Sequence, residues 1–446
     1  MSTVTERVTT AVETLAVRLA DPVRCRAVAT DPGNTDPFRE MTPWEPMGLA
    51  HGYPGAALFW AELAREDPAA GRVANGFLRE AMNSGDRASN GLYYGPASLL
   101  AAVQTLVTAD GRERRMHADL VRWVAHNQIA RADAWLTRLQ TGGGVAWGAY
   151  DVINGLGGVG RLLLDEQGTD EVDRALRKTM EVFLTLAADT DVEGHRVPGW
   201  WVSAAGQPIP SDAEQYPRGD FNLGMAHGAA GILAFLAASV LAGAGGAEVE
   251  EALARTRTHL LGAAVRDEAG PYWPARLSFD AWVDGAEVPL DETRSAWCYG
   301  TPGVAAAILQ SIFAVPDPEA AGTAIEGLRA MAERPQSTWG VDGATVCHGL
   351  AGVLAVVTTA KACGADVDVL EEIALEGILK AVDGDLPFGV RHQVRIGLPD
   401  EAGVVPYAGL DAVGTLEGAA GVGCVLWDWL RGAPAERSWA RTVALQ

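Results

Sequence analysis

The sequence predicts an all-α protein, an α/α toroid in which seven inner helices are ringed by seven outer ones. Two patterns point there: a glycine motif that returns seven times, each time opening an apolar run, and amphipathic segments lying between the copies.

The copies begin at His51 (HGYPGAALFW), Asn90 (NGLYYGPASLL), Asn154 (NGLGGVGRLLL), His227 (HGAAGILAFL), Tyr299 (YGTPGVAAAIL), His348 (HGLAGVLAVV) and Glu417 (EGAAGVGCVL). Six share one order: a polar or aromatic residue, Gly, two residues, Gly, then small and aliphatic residues. The Asn90 copy carries one extra residue between its glycines. Glycine pairs suit a tight turn where a Cβ would strike neighbouring backbone. The runs that follow are apolar nearly all round, so the helices they form must be buried. Between the copies, segments 116–140, 170–189, 248–265, 319–333 and 367–382 place aliphatic residues at three- and four-residue spacing opposite a charged face. These are the outer helices. Spacing between copies is irregular, about forty to seventy residues, and the alternation favours a closed ring over an open stack with distinct end caps. The turns that start the inner helices then gather at one end, where Asp151, His227, Cys298 and His348 can meet.

A repeat running from 51 to about 430 leaves little room for a boundary. Residues 1–446 are therefore read as one domain, with 1–45 as a helical lead-in. The 48% hydrophobic content is ample for a core, and the 52 glycines follow from the repeat. The N-terminal segment has no apolar signal-peptide core and no span long enough for a membrane anchor, which predicts a cytoplasmic protein without membrane insertion. A net charge of −22 argues against nucleic acid and anionic membranes as partners.

Five cysteines without an export signal make a disulfide framework improbable and leave metal binding or plain burial. Cys25, Cys363 and Cys424 lack polar ligand neighbours and read as buried thiols. Cys298, in SAWCYGTPG, and the pair Cys347 and His348, in TVCHGLAG, each precede an inner helix. Two thiolates and one imidazole suit zinc and leave a fourth position open, the pattern of catalytic zinc sites. The alternative for each cysteine is ordinary core packing. For His51, His227 and His348 it is helix capping, which is preferred for His51. For Glu417 it is a favourable place in the helix dipole. His117, His126, His195, His259 and His392 read as solvated. Connections 194–221, 270–294 and 385–410 carry aromatic and proline residues and are candidate walls of a peptide groove, or simple packing over the rim.

Four pieces in this order resemble the lanthionine synthetase C-like family: AYDVINGLGGVGRLLL from Ala149, GMAHGAAG from Gly224, RSAWCYGTPG from Arg294 and CHGLAG from Cys347. The resemblance covers nearly the whole chain. It implies one zinc per chain held by Cys298, Cys347 and His348, with Asp151, His227 and Arg294 lining the site. Asp151 has the alternative of a turn residue, and Arg294 that of a surface partner of Asp291 or Glu292. The implied activity is that of a stand-alone lanthipeptide cyclase. A cysteine thiolate of a dehydrated precursor peptide adds to dehydroalanine or dehydrobutyrine, closing a thioether ring. Zinc would make thiolate available near neutral pH, and the α-carbon then needs a proton. A separate dehydratase and an exporter are the expected partners. Two alternatives share the residues: an enzyme adding a free thiol such as glutathione to dehydroamino acids, and a non-catalytic zinc-stabilised scaffold of a peptide-modification complex.

Overall fold

The computed structural model describes residues 3–85, 91–285, 288, 290, 293–398, 405–432 and 438–445. Seven inner helices follow the glycine motifs: Tyr53–Leu63, Pro96–Asp110, Leu156–Leu163, Ala229–Leu241, Thr301–Ala314, Leu350–Ala362 and Ala419–Leu430. Each packs on the next, and the seventh packs on the first, which closes the ring. The protein is an α/α toroid.

Five expected outer segments form the helices Arg114–Gln140, Asp170–Ala187, Ala247–Gly262, Pro318–Glu333 and Asp368–Ala381. Two more outer helices complete the layer. Pro68–Asn83 lies against the first inner helix, and Val4–Arg18 packs against the seventh. The lead-in is thus an outer helix in its own right, tied to its neighbour by a bidentate ion pair of Arg7 with Glu376 at 2.6 and 3.0 Å.

The inner helices are buried over most of their length, as in Ala229–Leu241, where ten residues are inaccessible. Their first turns are crowded by backbone. A Cβ on Gly352 would lie 2.0 Å from the Val346 carbonyl oxygen. Gly300, at φ +86°, is doubly constrained, because its Cβ would meet the Arg294 carbonyl oxygen at 1.6 Å.

Main-chain hydrogen bonds link all seven turns into a closed girdle. Leu49 N–H donates to Tyr93 O (2.9 Å), Leu92 to Ile153 (3.0 Å), Val152 to Ala226 (3.0 Å) and Ala226 to Cys298 (3.3 Å). Cys298 donates to Cys347 (3.2 Å), Cys347 to Leu416 (2.9 Å), and Thr415 back to Leu49 (3.0 Å). Residues distant in sequence are thereby fixed at one rim. The segment Ser438–Val443 packs against the first three inner helices and reaches the turns of the second and fifth. Trp297 Nε1–H donates to Val443 O at 2.8 Å, Tyr93 Oη to Thr442 O at 2.7 Å, and Gln310 Nε2 to Ala444 O at 2.9 Å.

Short antiparallel strand pairs lie in the longer connections: Asp220–Asn222 with Arg276–Ser278, and His392–Arg395 with Tyr407–Leu410. None of the described helices is long and apolar enough to cross a membrane.

Candidate metal centre and its flanks

Cys298 precedes the fifth inner helix and the Cys347–His348 pair precedes the sixth, so the girdle places them side by side. Their ligand atoms all lie within 4.8 Å of one another, the one such His, Cys, Asp or Glu group among the described residues. Cys298 is 4% exposed, and Cys347 and His348 are half-buried. A hydrogen bond from Cys347 pulls the Cys298 thiol down to about 5 against the opposing effect of burial, and His348 adds to the pull. The same contact, with burial, pushes Cys347 well up. The pair therefore gives up one proton readily and holds the second. A divalent cation would relieve that conflict, and two sulfurs with one imidazole are the donors zinc prefers.

His227, from the fourth turn, adjoins this set through Tyr299, whose ring centroid is 6.4 Å away. Burial raises the Tyr299 hydroxyl well above its ordinary range, so it stays protonated. His227 Nδ1 is 2.7 Å from Asp151 Oδ2. The other Asp151 oxygen accepts the N–H groups of Asn154 and Gly155, both at 2.5 Å. Asp151 is thus a turn residue and a histidine partner at once, each oxygen serving one task. Trp147 stacks on the His227 ring at 5.0 Å, and the Arg276 guanidinium lies 5.2 Å from the same indole. Arg276 is in turn held by buried Asp220 (2.5 Å) and by Asp212 (2.8 Å).

Arg294 is one-third exposed and donates to Asp342 Oδ2 at 2.9 Å. Asp291 and Glu292, its partners in the alternative reading, lie outside the described residues. Asp342 also accepts from Arg395 (3.3 Å) and Tyr407 (2.9 Å), and its N–H donates to the His348 carbonyl at 2.8 Å. One buried carboxylate therefore joins Arg294, the metal-ligand loop and the 392–410 hairpin.

Beyond Cys347 the rim carries a cluster that sequence reasoning did not assemble. His392 was expected to be solvated; the hairpin folds it over the site, 6% exposed, with its ring edge-on to His348 at 5.1 Å. Burial lowers its pKa to about 4. His51 Nε2 is hydrogen-bonded to Glu417 Oε2, which lies 4.0 Å from His392 Nε2. Burial favours the neutral form of Glu417, but the hydrogen bond and charge of His51 outweigh it and hold the carboxyl well below the usual range. The capping role expected of His51 is not what the structure shows: Gly52 is the N-cap and no side chain caps the first inner helix. The repeat offered one usable signal, since His51, His227, Tyr299, His348 and Glu417 all occupy its first position. Asp342 and Trp147 carry no such mark. His117 and His259 pair with Glu166 (2.8 Å) and Asp189 (2.9 Å).

Among curated proteins, the chain is 23% identical over 333 residues to "Nisin biosynthesis protein NisC" of Lactococcus lactis subsp. lactis, covering 73% of this chain and 74% of that protein. Among solved structures, "Nisin cyclase" superposes with a TM-score of 0.70 at 20% identity, covering 99% of this chain and 97% of that one. That likeness shows the shared toroid. The lanthionine synthetase C-like protein family matches residues 43–441, nearly the whole ring and every residue of the rim described above, and the chain belongs to that family.

Proposed function

We propose that this protein is a zinc-dependent lanthipeptide cyclase that closes (methyl)lanthionine rings by Michael addition within a dehydrated precursor peptide. The observation that carries this reading is the meeting of Cys298, Cys347 and His348 within 4.8 Å, flanked by the His227–Asp151 pair. Cys298, Cys347 and His348 would hold zinc, which when bound lowers the pKa of a peptide thiol so that thiolate is available near neutral pH.

The remaining chemistry belongs to the chain. His227 Nε2 faces away from Asp151, and an imidazole is the side chain best matched to delivering a proton to the α-carbon at neutral pH. Asp151 fixes its tautomer and steadies the imidazolium, while Trp147 holds the ring plane. Arg294, clamped to Asp342, supplies a cation for the carbonyl oxygen as enolate charge develops. The substrate is a precursor peptide whose serine or threonine residues have already been dehydrated.

Incubation of a dehydrated, cysteine-containing peptide with the zinc-loaded protein tests this. Loss of alkylatable thiol at unchanged mass is the expected result. A mass gain from an added small thiol would favour intermolecular addition instead. Unchanged peptide, or zinc near zero per chain by elemental analysis, would refute the reading.

A further inference from the structure

The proposed reaction moves two protons: one leaves the cysteine thiol and one arrives at the α-carbon. The His227–Asp151 pair can serve one of these transfers. A second histidine–carboxylate pair stands at the same rim, made by His51 and Glu417, the first residues of the first and seventh repeats.

Ring order gives this pair its meaning. The metal-ligand set belongs to turns five and six, His227 to turn four, and Glu417 and His51 to turns seven and one. The set therefore has a histidine–carboxylate pair on each side. The turn that carries Glu417 is tied to the ligand loop, since the Leu416 carbonyl, next to Glu417, accepts the Cys347 N–H at 2.9 Å. His51 and Glu417 side chains are each 15% exposed, largely desolvated yet open to solvent. Neither caps its helix, for both helices start on glycine without a side-chain cap. With Nε2 on the carboxylate, Nδ1 of His51 has no hydrogen-bond partner among the described residues and keeps a lone pair for an incoming proton.

We propose that His51, oriented by Glu417, accepts the proton of the incoming peptide thiol, leaving His227 and Asp151 to protonate the α-carbon. This rests on the cyclase reading. The thiol S–H bond breaks and its proton goes to Nδ1 of His51. The sulfur pair forms the S–Cβ bond as the Cα=Cβ pair moves into the enolate. The Cα–H bond then forms with the proton of the His227 imidazolium. Exchange with solvent restores both rings, and no oxidant or leaving group is needed. The charged and titratable groups facing the pair are Arg39, 3.9 Å from Glu417, His392 at 4.0 Å, His348, Cys347 and Tyr94.

The test follows thiol loss over time in a synthetic peptide bearing one dehydroalanine and one cysteine. The zinc-loaded full-length protein is compared with His51→Asn, Glu417→Gln and His227→Asn from about pH 6 to about pH 9, a range spanning the thiol pKa. At about pH 6.5, His51→Asn should be slower by about a hundredfold. That deficit should shrink as pH approaches about 8.5, where free thiolate no longer needs a base. Glu417→Gln should follow the same profile with a smaller deficit, whereas His227→Asn should stay slow throughout. Zinc content should match the parent in all three, and each should remain folded by circular dichroism, with a modestly lower melting temperature from the lost pair. Should His51→Asn fail to fold, Glu417→Gln carries the same profile. A rate within about threefold of the parent at low pH, or a deficit that does not shrink with pH, overturns the assignment. A parent that closes no ring overturns the cyclase reading and this assignment together; an active parent with a flat His51→Asn profile overturns this assignment alone.

Discussion

Side-chain caps open four of the seven outer helices and none of the inner ones. The four caps are Thr3 with Glu6 in a capping box, Asp67, Thr169 and Asp317. The inner helices open on glycine, and none carries a side-chain cap. Helix N-termini have orphan N–H groups that a cap normally satisfies. Where close-packed backbone sets the turn instead, the polar residue just before the glycine is released from capping. His51, His227, His348 and Glu417 occupy that released position. Tight backbone at these turns and free side chains at the rim are thus one device.

Four substitutions probe the contrast, from the largest effect downward. Gly300→Ala forces a residue at φ +86° against the Arg294 carbonyl, and a loss of about 4 kcal/mol or more in denaturant unfolding is expected. Similar stability to the parent would mean that the turn is not set by backbone crowding. His348→Ala alters only a released side chain. The fold should persist by circular dichroism while metal content by elemental analysis drops at least about tenfold, the scale on which a lost ligand exceeds a lost ligand partner.

His392→Gln reads the rim through pH. The folded His392 pKa of about 4 lies below the unfolded value near 6.5. Above about pH 6.5 both states are neutral and nothing changes. As pH falls from there towards about 4, the unfolded chain takes a proton that the folded one refuses, and stability declines by roughly 2 kcal/mol between about pH 6.5 and 5. The drop in melting temperature between those pH values should be smaller in His392→Gln. Thr169→Ala removes an outer cap and should lower stability by about 1 kcal/mol, leaving metal content and ring closure untouched. A change in activity there would blur the division between the two kinds of helix.

The parts of this architecture legible in the sequence are those that sterics force. Only glycine fits beneath a carbonyl at 2.0 Å, as at Gly352, so each inner turn leaves a mark, and buried helices must be apolar. Cys298, Cys347 and His348 were readable because they adjoin that mark. The structure brings Asp151 and His227 together and places Arg294 on Asp342. Asp342, Trp147 and Arg276 come from connections with no period, and their partners are fixed only by tertiary folding. His392 sits in a polar stretch, and its burial depends on a hairpin closing over the rim. The Asn90 position and the tip of that hairpin fall outside the described residues.

The girdle of main-chain hydrogen bonds has a consequence for assembly. An open stack of repeats can fray at one end and keep the rest, because each unit leans only on its neighbours. A hoop has no end to fray. Its last link, Thr415 to Leu49, and the Arg7–Glu376 pair, 369 residues apart in sequence, form only when remote segments meet. Such non-local closure is slow, and until it happens seven greasy helices stand without all their neighbours. The nascent chain should therefore lean on chaperones, and damage to any one repeat should cost the whole hoop rather than a single link.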